Sequence, residues 1–379
     1  MAQAVSMPQV ITTDNEFLEQ VLHLGGDALD RCYQCGTCSV VCPITPEELA
    51  FPRKEMLWAQ WGMKDRLLRD PDVWLCHQCN DCTAYCPRDA RPGDLMAAVR
   101  NYHITHYAPL AFLAKPAADP KYLPFAFVIP LLLVLGMAFF AVVLPNGGLV
   151  FPEGRVVFAR FIPSEFIDAT ALIASALAFL FAAVGVSRFW GSITQFDVEQ
   201  TPRRGLIPSF VSALVDIFTH KDFKECDANQ PRYPAHAAIF YGFLCLFVAT
   251  TGAFIYTAFL KRELSLPLYD PIKIIGNVGF LLMLGGLTAV SYRRLGQWRK
   301  AGKSLYFDWF FIGLLYVVIL TGFLLETLRL LETGALAYTF YLVHLVFVFT
   351  LYIYLPFSKF AHLIYRTAAM TWAKRIGRK

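Results

Sequence analysis

The pattern of apolar and polar residues divides the chain into two parts. Before about residue 120 there is no strand-like alternation, and the local signals are those of short helices. Asp14 or Asn15 can cap a helix that ends at the following Gly-Gly pair, and a longer helix is expected over 94–106. Thr45, with a proline and two glutamates after it, has the pattern of another helix start. We therefore expect a mostly helical N-terminal domain over 1–110.

Six long apolar runs follow from Tyr122 onward. Each has about the 20 predominantly apolar residues that a membrane-spanning helix needs. A buried helix of a soluble core is the alternative for any single run, but six runs in succession favour a transmembrane domain over residues 111–379. The predicted spans are 122–144, 165–190, 235–260, 272–292, 306–330 and 335–358.

Composition and charge support this division. Only 17% of the residues are charged and 56% are hydrophobic, whereas soluble domains carry about 25% charged residues. Residues 1–120 hold 10 Lys+Arg and 15 Asp+Glu, a net charge of −5, and the remainder holds 24 and 14, a net charge of +10. These numbers exclude a single soluble globule, a disordered chain and a nucleic-acid-binding protein, which would carry its basic residues on a polar surface.

The basic residues of the short loops predict the orientation. The loops after the second, fourth and sixth spans hold most of them, and the opposite loops hold few. Because Lys and Arg are enriched in cytoplasmic loops, we expect a multi-pass protein of the cytoplasmic membrane with both termini in the cytoplasm. The N-terminus lacks the basic and apolar regions of a signal peptide, which agrees with a cytoplasmic N-terminal domain.

Eight of the ten cysteines form two runs of identical spacing, each followed by proline. Both match the bacterial ferredoxin run for [4Fe–4S] clusters. Three thiolates with two residues between successive cysteines can surround one cluster, while the fourth, before the proline, points to the other cluster. We expect one cluster on Cys32, Cys35, Cys38 and Cys86, and the other on Cys76, Cys79, Cys82 and Cys42.

Three other uses of these cysteines are less compatible with the pattern. Structural zinc sites favour paired C-x2-C units without a third cysteine and a proline. A disulfide framework belongs to oxidising compartments. Catalytic thiols do not require this repeated spacing. The other two cysteines, Cys226 and Cys245, are isolated and interpreted as structural thiols.

Three histidines of the membrane domain are candidate haem ligands, because ligating residues inside spans are functional candidates. His344 and His362 are 18 residues apart, which is five whole turns of one continuous helix and about 27 Å. His236, at the start of the third span, would lie level with His362, so the two can hold an inner haem b. His344 would hold an outer haem whose second ligand is unknown, and His220 is an alternative to His236.

Both parts of the chain have recognisable resemblances. The two cysteine runs resemble those of the small iron–sulfur subunit of heterodisulfide reductase. The segment RYPAHAAIFYGF with His344 and His362 is similar to the cytochrome b subunits of heterodisulfide and respiratory nitrate reductases. In those cytochromes two histidines ten apart on one helix and two eighteen apart on a later helix hold two haems. His236, His344 and His362 match three of these positions, and the fourth falls on Leu246, which cannot be a ligand.

The order of the two parts, over about residues 30–365, resembles the membrane subunits of the quinone-interacting membrane-bound oxidoreductase (Qmo) complexes of sulfate reducers. This resemblance implies menaquinone or menaquinol as substrate, one or two haems b, two soluble flavin- and iron–sulfur-containing partner subunits, and adenylylsulfate reductase as the electron acceptor. The expected fold class is all-α: a helical two-cluster ferredoxin-like domain followed by a six-helix transmembrane cytochrome b bundle.

The chain has no G-x-G-x-x-G fingerprint, no P-loop and no flavin motif, and no CCG motif. We therefore expect an oxidoreductase subunit without catalytic residues of its own, which conducts electrons from quinol through haem b and two clusters to a docked partner. The alternative is the reverse direction, as the quinone-reducing membrane arm of a cytoplasmic dehydrogenase or of a heterodisulfide-reductase-like complex. A third, non-redox hypothesis is a membrane anchor with structural metal sites.

Overall fold

The structure is a computed structural model that describes residues 12–46, 49–195, 203–221, 232–262, 265–296 and 302–378. Within these ranges the ordered elements are all helical and no strand occurs, so the predicted all-α class is confirmed. The chain forms two compact units. The first comprises Met1–His103, Ser187–Ala228 and Tyr365–Lys379, and the second comprises Ile104–Val186 and Asn229–Ile364. The predicted contiguous domains, 1–110 and 111–379, stay a prediction.

The first unit joins three segments that are distant in the sequence. If each of six spans crossed the membrane, the N-terminal segment, the connection between the second and third spans and the C-terminal segment would all lie on one side. The three segments of the unit are these three parts of the chain. Cys226, in the second segment, lies outside the described residues.

Short helices build the first unit, and the first of them shows both a predicted start and a predicted stop. The Asp14 carboxylate accepts a hydrogen bond from the Phe17 amide at 2.8 Å, which confirms the predicted cap, and Gly25 adopts a positive φ of 109° where this helix stops. The helices that contribute most to the unit are Asn15–Val21, Thr37–Val40, Arg53–Gln60, Lys64–Arg69, Asp72–Leu75, Asp81–Ala84, Pro92–Tyr107, Leu206–Thr219 and His362–Arg375.

The prediction of a helix start at Thr45 is wrong. The next helix begins at Arg53, and the Thr45 hydroxyl bonds to the carbonyl oxygens of Ser39, at 2.9 Å, and Phe51, at 2.6 Å. Threonine side chains compete in this way for backbone groups and stabilise turns rather than helices. The two glutamates, residues 47 and 48, lie outside the described residues.

A buried group of charges holds the C-terminus to the helices of the first unit. The Lys54 ammonium group contacts Glu55 and lies 2.6 Å from Asp70 and 2.8 Å from Asp72. Arg378 contacts Asp72 from the other side, with Nη2 and Oδ1 2.5 Å apart. All three acidic side chains are buried, and the Lys54 and Arg378 cations offset the negative charge of this group and its loss of hydration.

All six predicted spans are present in the second unit or run from it into the first. Each is a helix long and apolar enough to cross a membrane, which identifies a membrane protein. The helices cover Pro120–Asn146, Ser164–Ile193, Arg232–Ala258, Pro271–Gly296, Tyr306–Leu330 and Ala335–Phe357. The observed bounds differ from the predicted ones by at most a few residues.

Glycines bring the third and fourth spans into close contact. A Cβ atom on Gly286 would lie 2.8 Å from the carbonyl oxygen of Ala235, and one on Gly242 would lie 2.8 Å from the amide nitrogen of Met283. Small residues allow helix backbones to approach in this way inside membranes. The contact at Ala235 fixes the backbone next to His236.

The expectation that one continuous helix carries His344 and His362 is wrong. The α-helical part of the last span ends at Tyr354 and a 3-10 turn completes it at Phe357. Ser358 is extended with φ −110° and ψ −177°, and a separate α-helix begins at His362. Pro356 lies in this interruption and lacks the amide hydrogen that a continued helix would use. The 18-residue spacing therefore does not determine the relative directions of the two side chains.

Candidate redox-cofactor sites

The eight clustered cysteines surround two cavities of the first unit, four to each. One cavity is lined by Cys32, Cys35, Cys38 and Cys86. The other is lined by Cys42, Cys76, Cys79 and Cys82. Each group combines three cysteines of one run with the last cysteine of the other run. We call them the first and the second cysteine cavity.

The two runs have the same backbone conformation because their sequences repeat. In the first run Gln34 and Gly36 have positive φ values of 59° and 83°, and the corresponding Gln78 and Asn80 of the second run have 55° and 65°. These residues, whose backbone is in the left-handed conformation, turn the chain between successive cysteines so that it curves around the cavity. Such turns direct amide groups into a concavity that suits anionic groups, including iron–sulfur clusters.

Amide groups also contact the sulfur atoms themselves. The Gln78 amide lies 3.4 Å from Cys76 Sγ, and the Ala90 amide lies 3.3 Å from Cys86 Sγ. Hydrogen bonds to sulfur stabilise the more negative form of a thiolate-bound cluster and so contribute to its reduction potential.

The thiols differ in exposure, and their pKa values differ accordingly. Burial raises the pKa of Cys38 to about 11 and that of Cys42 to about 12, and it also raises the pKa of Cys82. The Cys35 side chain is exposed, and hydrogen bonds from Thr37 lower its pKa. Buried neutral thiols become thiolates when a metal offsets the charge, so the converging donors fit a thiolate-bound metal cluster.

Two arginines approach the wall of the second cysteine cavity. Arg100 donates to the carbonyl oxygens of Val73, at 2.7 Å, and Cys76, at 2.5 Å. Arg366 donates to the same Cys76 carbonyl at 2.9 Å. Burial lowers the pKa of Arg100 to about 10, so this group stays charged at neutral pH. Two cations therefore lie beside a site that would hold an anionic cluster.

Sequence reasoning did not find these arginines. Their roles depend on contacts between segments that are far apart in the chain, and the sequence indicates Arg366 only as one of the basic residues near the last span. The shared backbone conformation of Gln34 and Gln78 was detectable in the sequence, because a glutamine precedes the second cysteine of both runs. That repeat accompanies the cysteine spacing and could have been interpreted together with it.

His236 and His362 come together in the second unit. Their ring centroids are 6.4 Å apart and the ring planes make an angle of 78°. An imidazole–metal–imidazole arrangement with metal–nitrogen bonds of about 2 Å requires roughly 6 Å between the centroids. His362 Nδ1 lies 2.5 Å from the Lys359 carbonyl oxygen. Since a carbonyl only accepts hydrogen bonds, Nδ1 carries the proton and Nε2 has the lone pair that a metal ligand needs. The pair therefore fits a haem iron.

His344 lies against the fifth span. Its Nδ1 is 2.9 Å from the Thr321 hydroxyl, and its ring is next to Gly322, where a Cβ atom would come within 3.2 Å. Leu246 is at the position where the similar cytochromes b have their fourth haem-ligating histidine. It packs against a hydrophobic core group that contains Met283 and Leu287. No second ligand for His344 is identified among these neighbours.

His220, the alternative to His236, belongs to the first unit. It is buried just after the helix Leu206–Thr219, and its Nδ1 lies 3.3 Å from the Phe218 carbonyl oxygen. His236 and His362 both belong to the second unit. The structure thus brings His236, and not His220, together with His362 within one unit.

Two known protein families match different parts of the chain. The 4Fe-4S dicluster domain family matches residues 28–90, and the citrate utilization protein B family matches residues 120–378. Together with the two cysteine cavities and the six spans, these matches define a membrane protein with an iron–sulfur electron-transfer domain. The chain belongs to the citrate utilization protein B family, whose match covers most of its length.

Individual relatives are consistent with both matches. Citrate utilization protein B of Escherichia coli is 26% identical over 395 residues, which cover 98% of this chain and 96% of that protein. The C-type subunit of the H(2):CoB-CoM heterodisulfide,ferredoxin reductase of Methanothermobacter marburgensis is 38% identical over 88 residues, 23% of this chain. A protein of Archaeoglobus profundus that is named for its likeness to the corresponding heterodisulfide reductase subunit is 37% identical over 91 residues.

The chain spans about half the length, 48%, of each of these two archaeal relatives. The identities of 38% and 37% to these relatives confirm the resemblance of the N-terminal part to the small iron–sulfur subunit of heterodisulfide reductase. No solved structure matches the chain.

Proposed function

We propose that this protein is a membrane electron-transfer subunit that connects the menaquinone pool with cytoplasmic partner subunits through haem b and two [4Fe–4S] clusters. The observation that carries the proposal is the grouping of eight cysteines into two four-thiol cavities on a chain with six membrane spans. Bound clusters and haem would supply one-electron carriers. The protein's own cysteines and histidines would hold them, and Arg100 and Arg366 would offset part of the negative charge of one cluster.

In this proposal each group of residues has a separate role. The first cysteine cavity would hold one cluster, and its exposed Cys35 side lies where a partner can approach. The second cavity would hold the other cluster, beside Arg100 and Arg366. His236 and His362 would hold the inner haem through their imidazole nitrogens, and the carbonyl that accepts from His362 keeps the proton of that ring on Nδ1. His344 would be a ligand of an outer haem.

Two directions of electron flow are compatible with these sites. The resemblance to quinone-interacting oxidoreductases supports flow from menaquinol to two flavin- and iron–sulfur-containing subunits and on to adenylylsulfate reductase. The similarity along 98% of the chain to a protein named for citrate utilization favours the reverse direction, from a cytoplasmic dehydrogenase that oxidises an organic acid to the quinone. In the second case the protein would be the quinone-reducing arm.

The test is spectroscopic and uses the purified full-length protein in detergent. We expect b-type haem bands that appear on reduction with dithionite, about eight iron atoms outside haem, and paramagnetic resonance signals of reduced [4Fe–4S] clusters. A preparation reconstituted with iron and sulfide that has neither haem bands nor cluster signals would refute the proposal in favour of a structural metal anchor.

A redox titration of the same protein distinguishes the two directions. Clusters with potentials well below that of menaquinone favour flow toward the quinone, because downhill transfer from menaquinol would then be impossible. Potentials close to or above that of menaquinone favour flow from menaquinol to the partner.

A further inference from the structure

The helix Leu206–Thr219 lies in the connection between the second and third spans. It has 14 residues and is therefore too short to cross a bilayer, which takes about 20. We call it the connecting helix. It is part of the first compact unit, together with the cysteine runs and the C-terminal segment.

The apolar side chains of the connecting helix are on its outer face. Six large apolar residues are each between 43% and 76% exposed: Leu206, Ile207, Phe210, Val211, Val215 and Phe218. At 100° per residue they cover one continuous half of the helix surface. Soluble proteins rarely expose an apolar surface of this kind unless something covers it.

The opposite face is small or polar and is held by the protein. Ser209 and Ala213 are fully buried, and Asp216 forms an ion pair with Lys374 at 2.5 Å. Just before the helix, the amides of residues 203 and 204 donate to the Arg375 carbonyl oxygen at 2.8 and 3.1 Å. The usual arrangement of a surface helix, with its apolar face inward, is thus reversed.

We propose that the connecting helix lies in the interface of the lipid bilayer, with its outer face among the acyl chains. The chain leaves the membrane shortly before this helix and enters it again shortly after, so the helix is tethered at the bilayer surface. Exposed Arg203, Arg204 and Lys221 flank it, and such cations bind the phosphates of anionic lipids. A helix with an apolar face and basic flanks has the properties of an interfacial helix.

This contact connects the membrane surface to the second cysteine cavity within the first unit. The connecting helix is fixed to the C-terminal helix His362–Arg375 through the Asp216–Lys374 ion pair. The C-terminal helix is fixed to the Cys76 carbonyl through Arg366. The bilayer surface would therefore restrain the position of the first unit through a continuous series of polar contacts.

The test is photocrosslinking of the full-length protein in nanodiscs of mixed phosphatidylcholine and phosphatidylglycerol. Benzoylphenylalanine replaces Phe210 or Phe218 on the outer face, or, as the control, Trp61, an exposed aromatic residue elsewhere in the first unit. We expect lipid adducts in the mass spectra of the Phe210 and Phe218 variants and none in that of the Trp61 variant. Each variant is first checked for a monodisperse elution profile and an unchanged melting temperature.

Two results would overturn the proposal. The Phe210 and Phe218 variants could crosslink to a second copy or another protein, or they could give no more lipid adduct than the Trp61 variant. The contribution of the basic residues to lipid binding is tested by adding Arg203→Gln and Arg204→Gln to the variant that carries benzoylphenylalanine at position 210. Each basic residue near an anionic membrane surface strengthens binding to that surface by a factor of about five. The ratio of phosphatidylglycerol to phosphatidylcholine adducts should therefore fall several-fold. An unchanged ratio would contradict binding to anionic headgroups.

Discussion

The imidazole rings of His236 and His362 lie with their centroids 6.4 Å apart and their planes at 78°, although a broken helix separates His362 from the last span. This separation is that of two imidazoles on opposite sides of one metal ion. It is set by two local features, the close packing of the third and fourth spans at Ala235 and Gly286, and the hydrogen bond of His362 to the Lys359 carbonyl.

Replacement of either histidine should remove one low-spin haem. We expect His236→Ala and His362→Ala each to lose the corresponding absorption and paramagnetic resonance signals while the iron–sulfur signals persist, because the cysteine cavities belong to the other unit. His23→Ala, at an exposed position of the first unit, is the control and should keep its full haem content. Unchanged haem content in both ligand variants would show that the assignment is wrong.

The crossed grouping of the cysteines predicts which double variants lose one cluster and which lose two. Cys32→Ala with Cys86→Ala affects one cavity only, so about half of the non-haem iron should remain. Cys32→Ala with Cys42→Ala affects both cavities and should remove nearly all of it. Iron and acid-labile sulfide analysis measures both. If each cluster used one whole run instead, the two double variants would exchange their results.

Arg366→Gln should lower the reduction potential of the cluster in the second cavity. Its guanidinium group donates to the Cys76 carbonyl, and loss of a nearby, partly buried cation favours the less negative, oxidised cluster. We expect a shift of some tens of millivolts, on the order of 1 kcal/mol for one electron. Arg366→Lys keeps the charge and should shift less. Redox titration followed by paramagnetic resonance measures both, and equal shifts in the two variants would exclude a charge effect.

The buried charges around Lys54 predict a large loss of stability when this residue is changed. Lys54→Met leaves the buried Asp70 without its cation and leaves Asp72 with only Arg378 as a charged partner, and removal of one member of a buried ion pair costs about 3–5 kcal/mol. Thermal unfolding in detergent measures the change. The control is Lys64→Met, which removes a more exposed ion pair with Asp14 and should cost below about 1 kcal/mol. Equal losses would contradict the prediction.

The buried Glu55 side chain should make the free energy of unfolding decrease as the pH rises. Burial raises its pKa well above the ordinary value of 4.5. The folded protein then binds this proton more tightly than the unfolded chain, so stability falls as the pH rises from about 4.5 toward the folded pKa. Glu55→Gln cannot ionise and should gain stability relative to the unaltered protein as the pH rises through this window. Parallel melting-temperature curves for the two proteins would refute this effect.

The sequence by itself determined the all-helical class, the six spans and the division of eight cysteines into two crossed groups of four, the same groups that line the two cavities. These features depend on local composition and spacing, since a span needs a long apolar run and a cluster needs closely spaced thiols. The cap at Asp14 was predictable for the same reason. The conformation at Thr45 was not, because the side chain of that residue bonds to carbonyls that only the folded chain brings near.

The tertiary structure decided the features that depend on distant segments. The interruption at Pro356 and Ser358 invalidated the rotational argument for the two histidines of the last span, while helix packing still brought His236 to His362. Arg366 and the polar face of the connecting helix acquired their roles because 187–228 and 365–379 fold with the N-terminal segment. Apolar periodicity shows which residues avoid water, but only packing decides whether protein or lipid covers them.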